Sequence, residues 1–201
     1  MVKQERAGRT RQAVLLAAAV TFADAGFESA SLIDISRRAG VSKGALYFHF
    51  VSKQALADGV RAAAGREIGS AALRALRGGG PALQGLIDFS HELARLLRED
   101  VVVRAGVQLG QGARGGSDAW HSLTAVVRRL LERAAAAGEL RPGLDPRPAA
   151  ELLTTLAAGL VLLAPEDADR LRPEAVRSLW GAALPALVPG DRCAAYRTCA
   201  P

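Results

Sequence analysis

Cysteine, aromatic residues and long apolar runs are all scarce in this 201-residue chain. It has two cysteines and 4% aromatic residues, and its longest apolar run, over 152–164, contains two threonines. A membrane helix needs about 20 consecutive apolar residues, and the first six residues lack the apolar stretch of a secretory signal. Two cysteines near the C-terminus make no disulfide framework and lack zinc-site partners. We therefore expect a soluble cytoplasmic protein with no membrane segment, metal site or cofactor.

Strand-forming patterns are also lacking, because no run alternates β-branched or aromatic residues with polar ones. Ala, Leu, Arg and Glu dominate instead, and half of the chain is apolar, which is enough to bury a core. The sequence predicts an all-α fold. Besides a short helix between Ser31 and Gly40, helices are predicted over about 9–25, 43–49, 53–77, 82–98, 101–109, 117–137, 146–163 and 173–188.

Charge and chain breakers divide the chain unevenly. Residues 1–61 contain nine Lys or Arg and five Asp or Glu, so that they carry +4 of the net charge of +6. The run Gly78-Gly79-Gly80-Pro81 interrupts the helical pattern. We predict two domains: a compact basic domain over 1–52 with three helices, and a larger helical bundle over 53–201.

The segment from Ser31 to Phe50 has the spacing of a helix-turn-helix. Ser31 and Ser42 are suited to cap two short helices, and Gly40-Val41 forms the turn between them. The second short helix would lie in the major groove of DNA with its N-terminal residues toward the bases.

Residue chemistry on this second helix favours DNA contact. Lys43 can donate to guanine acceptors or to phosphate, and a glycine at position 44 lets the backbone approach DNA closely. Tyr47 can reach a phosphate or a thymine methyl group. Ala45, Leu46 and Phe48 are expected to face inward, against the core residues Phe22, Leu32 and Ile35. The alternative is that Gly40 joins two core helices and the polar residues form a solvated face.

At this point a family resemblance appears. The segment from Ala19 to Leu56 resembles the DNA-binding region of TetR-family transcriptional repressors. The resemblance is carried by Ala19, Phe22, Gly26-Phe27, Ser31-Leu32, Ile35, the run from Ala39 to Phe50, Lys53 and Leu56. Two positions depart from the family pattern: Thr21 stands where an apolar residue is usual, and Ala30 replaces a common threonine.

The resemblance implies a homodimer that binds double-stranded, palindromic operator DNA, with the second short helix of each subunit in the major groove. Carried over residue by residue, it gives the following DNA-binding set: Ser31, Ser42, Lys43, Gly44, Tyr47, His49 and Lys53.

A second resemblance concerns the bundle. The ending Tyr47-Phe48-His49-Phe50, the stretch Val103-Arg104-Ala105-Gly106-Val107 and the position of Trp120 are similar to γ-butyrolactone autoregulator receptors, a TetR branch from antibiotic-producing bacteria. It implies that Trp120 lines a pocket for a small lipophilic effector, although a Trp at the start of an apolar helical stripe is commonly a core residue. The candidate polar members of the pocket are His91, Gln108, Thr124, Thr154 and Thr155.

The last two long helices are apolar over a wide arc and need a partner surface. The TetR resemblance places them in a four-helix dimer interface, with Trp180 in an interface or core position. The predicted interface set is Leu153, Leu160, Val176, Leu179, Trp180, Ala183 and Leu187.

Two other functional classes are weighed against a ligand-responsive repressor. An enzyme is disfavoured, because the three histidines, His49, His91 and His121, lack a nucleophile motif or metal-ligand spacing. A helical module that binds protein alone is disfavoured by the basic first domain. Within the repressor class, the alternative effectors are an antibiotic, a butenolide or a furan acid.

Overall fold

The computed structural model describes residues 2–111, 118–164 and 167–201, and for residues 2–4, 111 and 118–120 it describes the backbone alone. In the described residues the fold is all α, as predicted. The helices are α1 (Val2–Ser29), α2 (Leu32–Arg38), α3 (Lys43–His49), α4 (Lys53–Arg77), α5 (Ala82–Glu99), α6 (Val101–Gln111), α7 (Asp118–Ala136), α8 (Pro146–Leu163) and α9 (Pro173–Leu187). Short 3-10 turns cover Ala168–Leu171 and Gly190–Ala195.

Local chemistry explains several helix boundaries. Ser31, Ser42 and Asp145 act as N-caps, with their side-chain oxygens accepting from backbone N–H groups in the first turn. Gly26 has φ +75°, so it interrupts the helical geometry of α1 where the sequence predicts the end of the first helix. The chain resumes helical turns to Ser29, and α1 also begins earlier than predicted.

Two compact units emerge from the packing of the chain. The first consists of residues 1–67 and 100–119, and the second of residues 68–99 and 120–201. The predicted boundary between residues 52 and 53 does not coincide with a boundary between these packing units, and the predicted division of function between 1–52 and 53–201 stays a prediction.

In the first unit, α1 contacts α2, α3 and α6. Its apolar core is built on buried side chains from five helices, among them Val14, Ile35, Leu46, Leu56 and Ala105. Thr21, the polar departure noted above, is buried in this unit, and its hydroxyl donates to the Ala17 carbonyl at 2.8 Å. A threonine is tolerated here because its polar group is satisfied within the helix.

In the second unit, α5 contacts α9. The C-terminal segment lies against α5: the Gln84 side chain exchanges two hydrogen bonds with the Arg197 backbone, and Arg197 pairs with Asp88 at 3.1 Å. Among the described residues, no helix is long and apolar enough to cross a membrane.

Candidate functional site

The helix-turn-helix is formed by α2 and α3. Gly40 adopts φ +66° between them, a left-handed conformation that favours glycine. The Gly40 and Val41 N–H groups donate to the carbonyls of Arg37 and Ser36 at 3.1 Å each, which closes the turn.

Capping fixes where each helix of the motif begins. Ser31 Oγ accepts from the Ile33 N–H at 3.2 Å, and Ser42 Oγ accepts from the Ala45 N–H at 3.1 Å. The two serines thus keep their predicted capping role.

One face of α3 is exposed and the opposite face is anchored in the core. Leu46 is fully buried, whereas Lys43, Gly44 and Tyr47 are exposed, and His49 is half-buried. The Lys43 ammonium lies 5.9 Å from the centroid of the Tyr47 ring, one helical turn away. The described structure therefore places the Lys43 ammonium, the exposed backbone at Gly44 and the Tyr47 ring on one surface of α3.

The inward orientation predicted for Phe48 is wrong. Its side chain is 81% exposed, and its ring makes an edge contact with the His49 ring at 5.2 Å between centroids. The physical reason is helical phase: residues two positions apart point about 200° apart on a helix. Since Leu46 points into the core, Phe48 must point out.

Lys53 is placed differently from the rest of the predicted DNA-binding set. It is half-buried at the start of α4, and its ammonium donates to the backbone carbonyls of Glu28 and Ala30 at 2.9 and 3.2 Å.

A second candidate site is an apolar cavity of about 100 Å³ in the second unit, between α5, α7, α8 and α9. Leu123 and Val127 of α7 line it. Six residues of the predicted interface set also line it: Leu153, Leu160, Val176, Leu179, Trp180 and Ala183.

Two hydrogen-bonding side chains, Ser90 and Trp180, stand on the described part of this cavity wall. The Trp180 indole N–H donates to Ser90 Oγ at 2.7 Å, and the Ser90 hydroxyl donates to the Ile87 carbonyl at 2.7 Å. Sequence reasoning missed Ser90, because its partner is 90 positions away and no local pattern marks the pair.

The predicted polar pocket residues do not converge on this cavity. His91 is buried, but its Nε2 donates to the Thr198 carbonyl at 2.8 Å. Gln108 belongs to the first unit, and Thr124 is exposed on α7. Thr155 is exposed, and its hydroxyl donates to the Glu151 carbonyl at 2.8 Å. Trp120 lies in the first turn of α7, and its side chain lies outside the described residues.

Thr154 differs from its neighbour. Its Oγ1 is buried and has no hydrogen-bond partner among the described residues, while the adjacent Leu153 lines the cavity. A buried hydroxyl without a partner is costly. Such an atom is therefore a candidate contact for a bound molecule.

Comparison with known proteins adds independent information. The family model described as "Bacterial regulatory proteins, tetR family" matches residues 14–60. The A-factor receptor protein of Streptomyces griseus is 35% identical over 191 residues, covering 93% of this chain and 67% of the relative.

Solved structures agree over nearly the whole chain. A γ-butyrolactone receptor described as ArpA-like superposes with a TM-score of 0.83 at 29% identity, covering 95% of this chain and 94% of the other. CprB of Streptomyces coelicolor, in complex with its biological operator sequence, superposes with a TM-score of 0.79 at 28% identity and the same coverage.

Proposed function

Because this chain belongs to the TetR family of bacterial regulatory proteins, we propose that it is a ligand-responsive transcriptional repressor. It binds a palindromic operator as a homodimer and is released by a small lipophilic effector. Residues 1–52 recognise DNA, and residues 53–201 bind the effector and form the dimer. The protein works in the cytoplasm by binding rather than by catalysis.

The exposed face of α3 is the observation that supports DNA recognition best. Lys43 and Tyr47 present a cation and a hydroxyl one turn apart, beginning at the N-terminal residue of the helix proposed to enter the major groove. A Cβ at position 44 would meet only Ser42 Oγ, at 4.0 Å, so the fold does not require glycine there. Close approach of a DNA strand supplies a reason for glycine. We assign base or phosphate contacts to Lys43, Gly44, Tyr47 and His49.

Replacing the two exposed side chains tests this assignment. Lys43→Ala combined with Tyr47→Ala is expected to abolish retardation of the DNA flanking the protein's own gene, because both contacts of α3 are lost. Arg129→Ala, on the exposed face of α7 in the other unit, serves as the matched control and is expected to bind like wild type. Wild-type retardation by the double variant would contradict the assignment.

Salt dependence separates a DNA-binding protein from a module that binds protein alone. The logarithm of DNA affinity falls linearly with the logarithm of salt concentration, with a slope of about −0.9 for each phosphate neutralised. The net charge of +6, concentrated in residues 1–61, supports a steep slope.

For the effector, we propose a small lipophilic autoregulator such as a γ-butyrolactone. The sequence and structural relatives named above support this class, and so does the apolar wall of the cavity. At about 100 Å³ the cavity is smaller than the roughly 300–1,000 Å³ of ligand pockets. The effector therefore favours an enlarged conformer, and it releases DNA by the difference in its affinity for the two conformers.

The unpartnered hydroxyl of Thr154 is the proposed polar contact for this effector. Ala157, one helical turn after Thr154, lines the cavity, so enlargement along that face of α8 would expose Thr154 Oγ1 to the effector. Thr154→Val removes the hydroxyl and keeps the shape, so about fivefold more of a synthetic γ-butyrolactone is expected to be needed for release from DNA. Thr155→Val is the matched control, since that hydroxyl already bonds Glu151. An equal response in both variants would exclude Thr154.

For the dimer, we assign the interface to α8 and α9 through the exposed or half-buried members of the predicted set, Leu153, Leu160, Leu179 and Ala183. The other three members, Val176, Trp180 and Leu187, are buried within the protomer, so the structure removes them from the interface set. Leu152, Leu162 and Leu179 remain exposed on these helices. Exposed apolar side chains of this kind are suited to a partner of the same sequence.

A further inference from the structure

Lys53 joins three features of the first unit. Its ammonium donates to the Glu28 carbonyl at 2.9 Å and to the Ala30 carbonyl at 3.2 Å. It also lies 4.7 Å from the centroid of the Phe27 ring. Glu28 lies in the last turn of α1, after the break at Gly26, and Ala30 lies between α1 and α2. Carbonyls at such a helix end have no partner further along the helix. The end of α1 is therefore a natural site for a cation.

Ala30 and Lys53 lie immediately before and after the helix-turn-helix segment in the chain. Ala30 directly precedes Ser31, the N-cap of α2, and Lys53 directly follows Ser52, whose Oγ accepts from the Ala55 N–H at 3.0 Å. The segment 31–52, which contains α2 and α3, therefore begins and ends at one ammonium group. Lys53 holds the entry and exit of the helix-turn-helix together.

We propose that Lys53 is a positioning residue for DNA recognition and not a phosphate ligand. An ammonium has three N–H donors, and two of them already reach carbonyl oxygens while the Phe27 ring lies close by. Lys53 acts on DNA through the placement of α3. This inference rests on the proposed DNA-binding function, and it replaces the direct contact that the family resemblance implies for Lys53.

Salt dependence distinguishes the two roles. Duplex DNA selected from a random pool by the wild-type protein is the probe, and affinity is measured over a series of salt concentrations for wild type, Lys53→Met and Lys43→Met. Loss of a phosphate ligand reduces the steepness of the slope by about 0.9 per subunit. For Lys53→Met we expect about tenfold weaker binding at every salt concentration with the wild-type slope. Lys43→Met is the reference for loss of an exposed charge on α3.

Two outcomes would overturn the proposal. A shallower slope for Lys53→Met makes Lys53 a phosphate ligand. An unchanged affinity with a lowered melting temperature makes it a residue of structural importance alone. Lys53→Arg keeps the charge and can reach the carbonyls, and it is expected to recover most of the lost affinity.

A second variant covers the case in which Lys53→Met fails to fold. Phe27→Leu removes the ring beside the ammonium and leaves the charge, so positioning predicts weaker DNA binding at the wild-type slope. Unchanged binding by Phe27→Leu would contradict the proposal.

A readout without DNA separates this proposal from the proposed function. Amide hydrogen exchange over α2 and α3 is expected to be faster in Lys53→Met, or in Phe27→Leu, than in Lys43→Met. Equal protection would refute the positioning role even if the protein binds no DNA. Failure of the wild-type protein to select any duplex would refute the repressor function alone.

Discussion

Leu46 and Phe48 lie two residues apart on α3 and have opposite environments. Hydrophobicity alone assigned both to the core, whereas helical phase allows only one of them to face it. The helical phase, 100° per residue, could be read from the sequence. Once Leu46 is placed in the core, this phase predicts that Phe48 is exposed. Contacts between distant positions were not available in this way. The bonds from Lys53 to Glu28 and from Trp180 to Ser90 join residues 25 and 90 positions apart.

Truncating each of these two side chains tests the orientation of α3. Leu46→Ala is expected to lower the free energy of unfolding by about 2–5 kcal/mol, because Leu46 is fully buried. Phe48→Ala, at an exposed position, is expected to change it by no more than about 0.5 kcal/mol. Urea unfolding followed by circular dichroism measures both. A loss of stability in Phe48→Ala as large as in Leu46→Ala would contradict the orientation.

At the scale of elements, helix positions were predictable because capping serines and turn glycines act locally. The partner of each helix was not predictable, and α6 shows why. Its sequence gives an apolar helix, but nothing local indicates that it packs in the first unit with α1 and α4. The close approach is visible at Gly106, where a Cβ would clash with the Ala64 Cβ and would lie 3.0 Å from the Val60 carbonyl oxygen.

A methyl group at Gly106 therefore has no room. Gly106→Ala is expected to lower the free energy of unfolding by about 1–3 kcal/mol, because α6 must move away from α4. Gly69→Ala is the matched control: Gly69 is also helical but has no atom within 4 Å of a Cβ. Alanine there is expected to raise stability by about 0.5–1 kcal/mol. Equal effects of the two substitutions in thermal unfolding would contradict the close approach.

At the scale of the molecule, ionisable groups of the second unit limit stability at both ends of the pH range. Hydrogen bonding and the charges of Arg95 and Arg74 lower the pKa of Glu92 below its ordinary value of 4.5, with burial opposing them. Burial, followed by the charge of Glu139, raises the pKa of Tyr196 above its ordinary value of 10.0.

The signs of these shifts set the expected pH profile. A lowered carboxyl pKa stabilises the fold above pH 4.5, and this contribution is lost as pH falls through the folded pKa. A raised phenol pKa makes the fold lose stability as pH rises above 10.0. Glu92→Gln should reduce the decline in melting temperature on the acid side, and Tyr196→Phe the decline on the alkaline side. Unaltered profiles would show that other groups control unfolding.

The path of the chain through the two units bears on engineering. Residues 1–67 and 100–119 form one unit, so the chain leaves it for residues 68–99 and then returns. The simplest chimaera of two regulators exchanges the DNA-binding domain at a single junction. In this protein, one junction after the N-terminal segment would leave α6, with Ala105 and Gly106, from one parent protein and the helices that it packs against from the other. A working hybrid therefore needs α6 transplanted along with the N-terminal segment, which means three junctions instead of one.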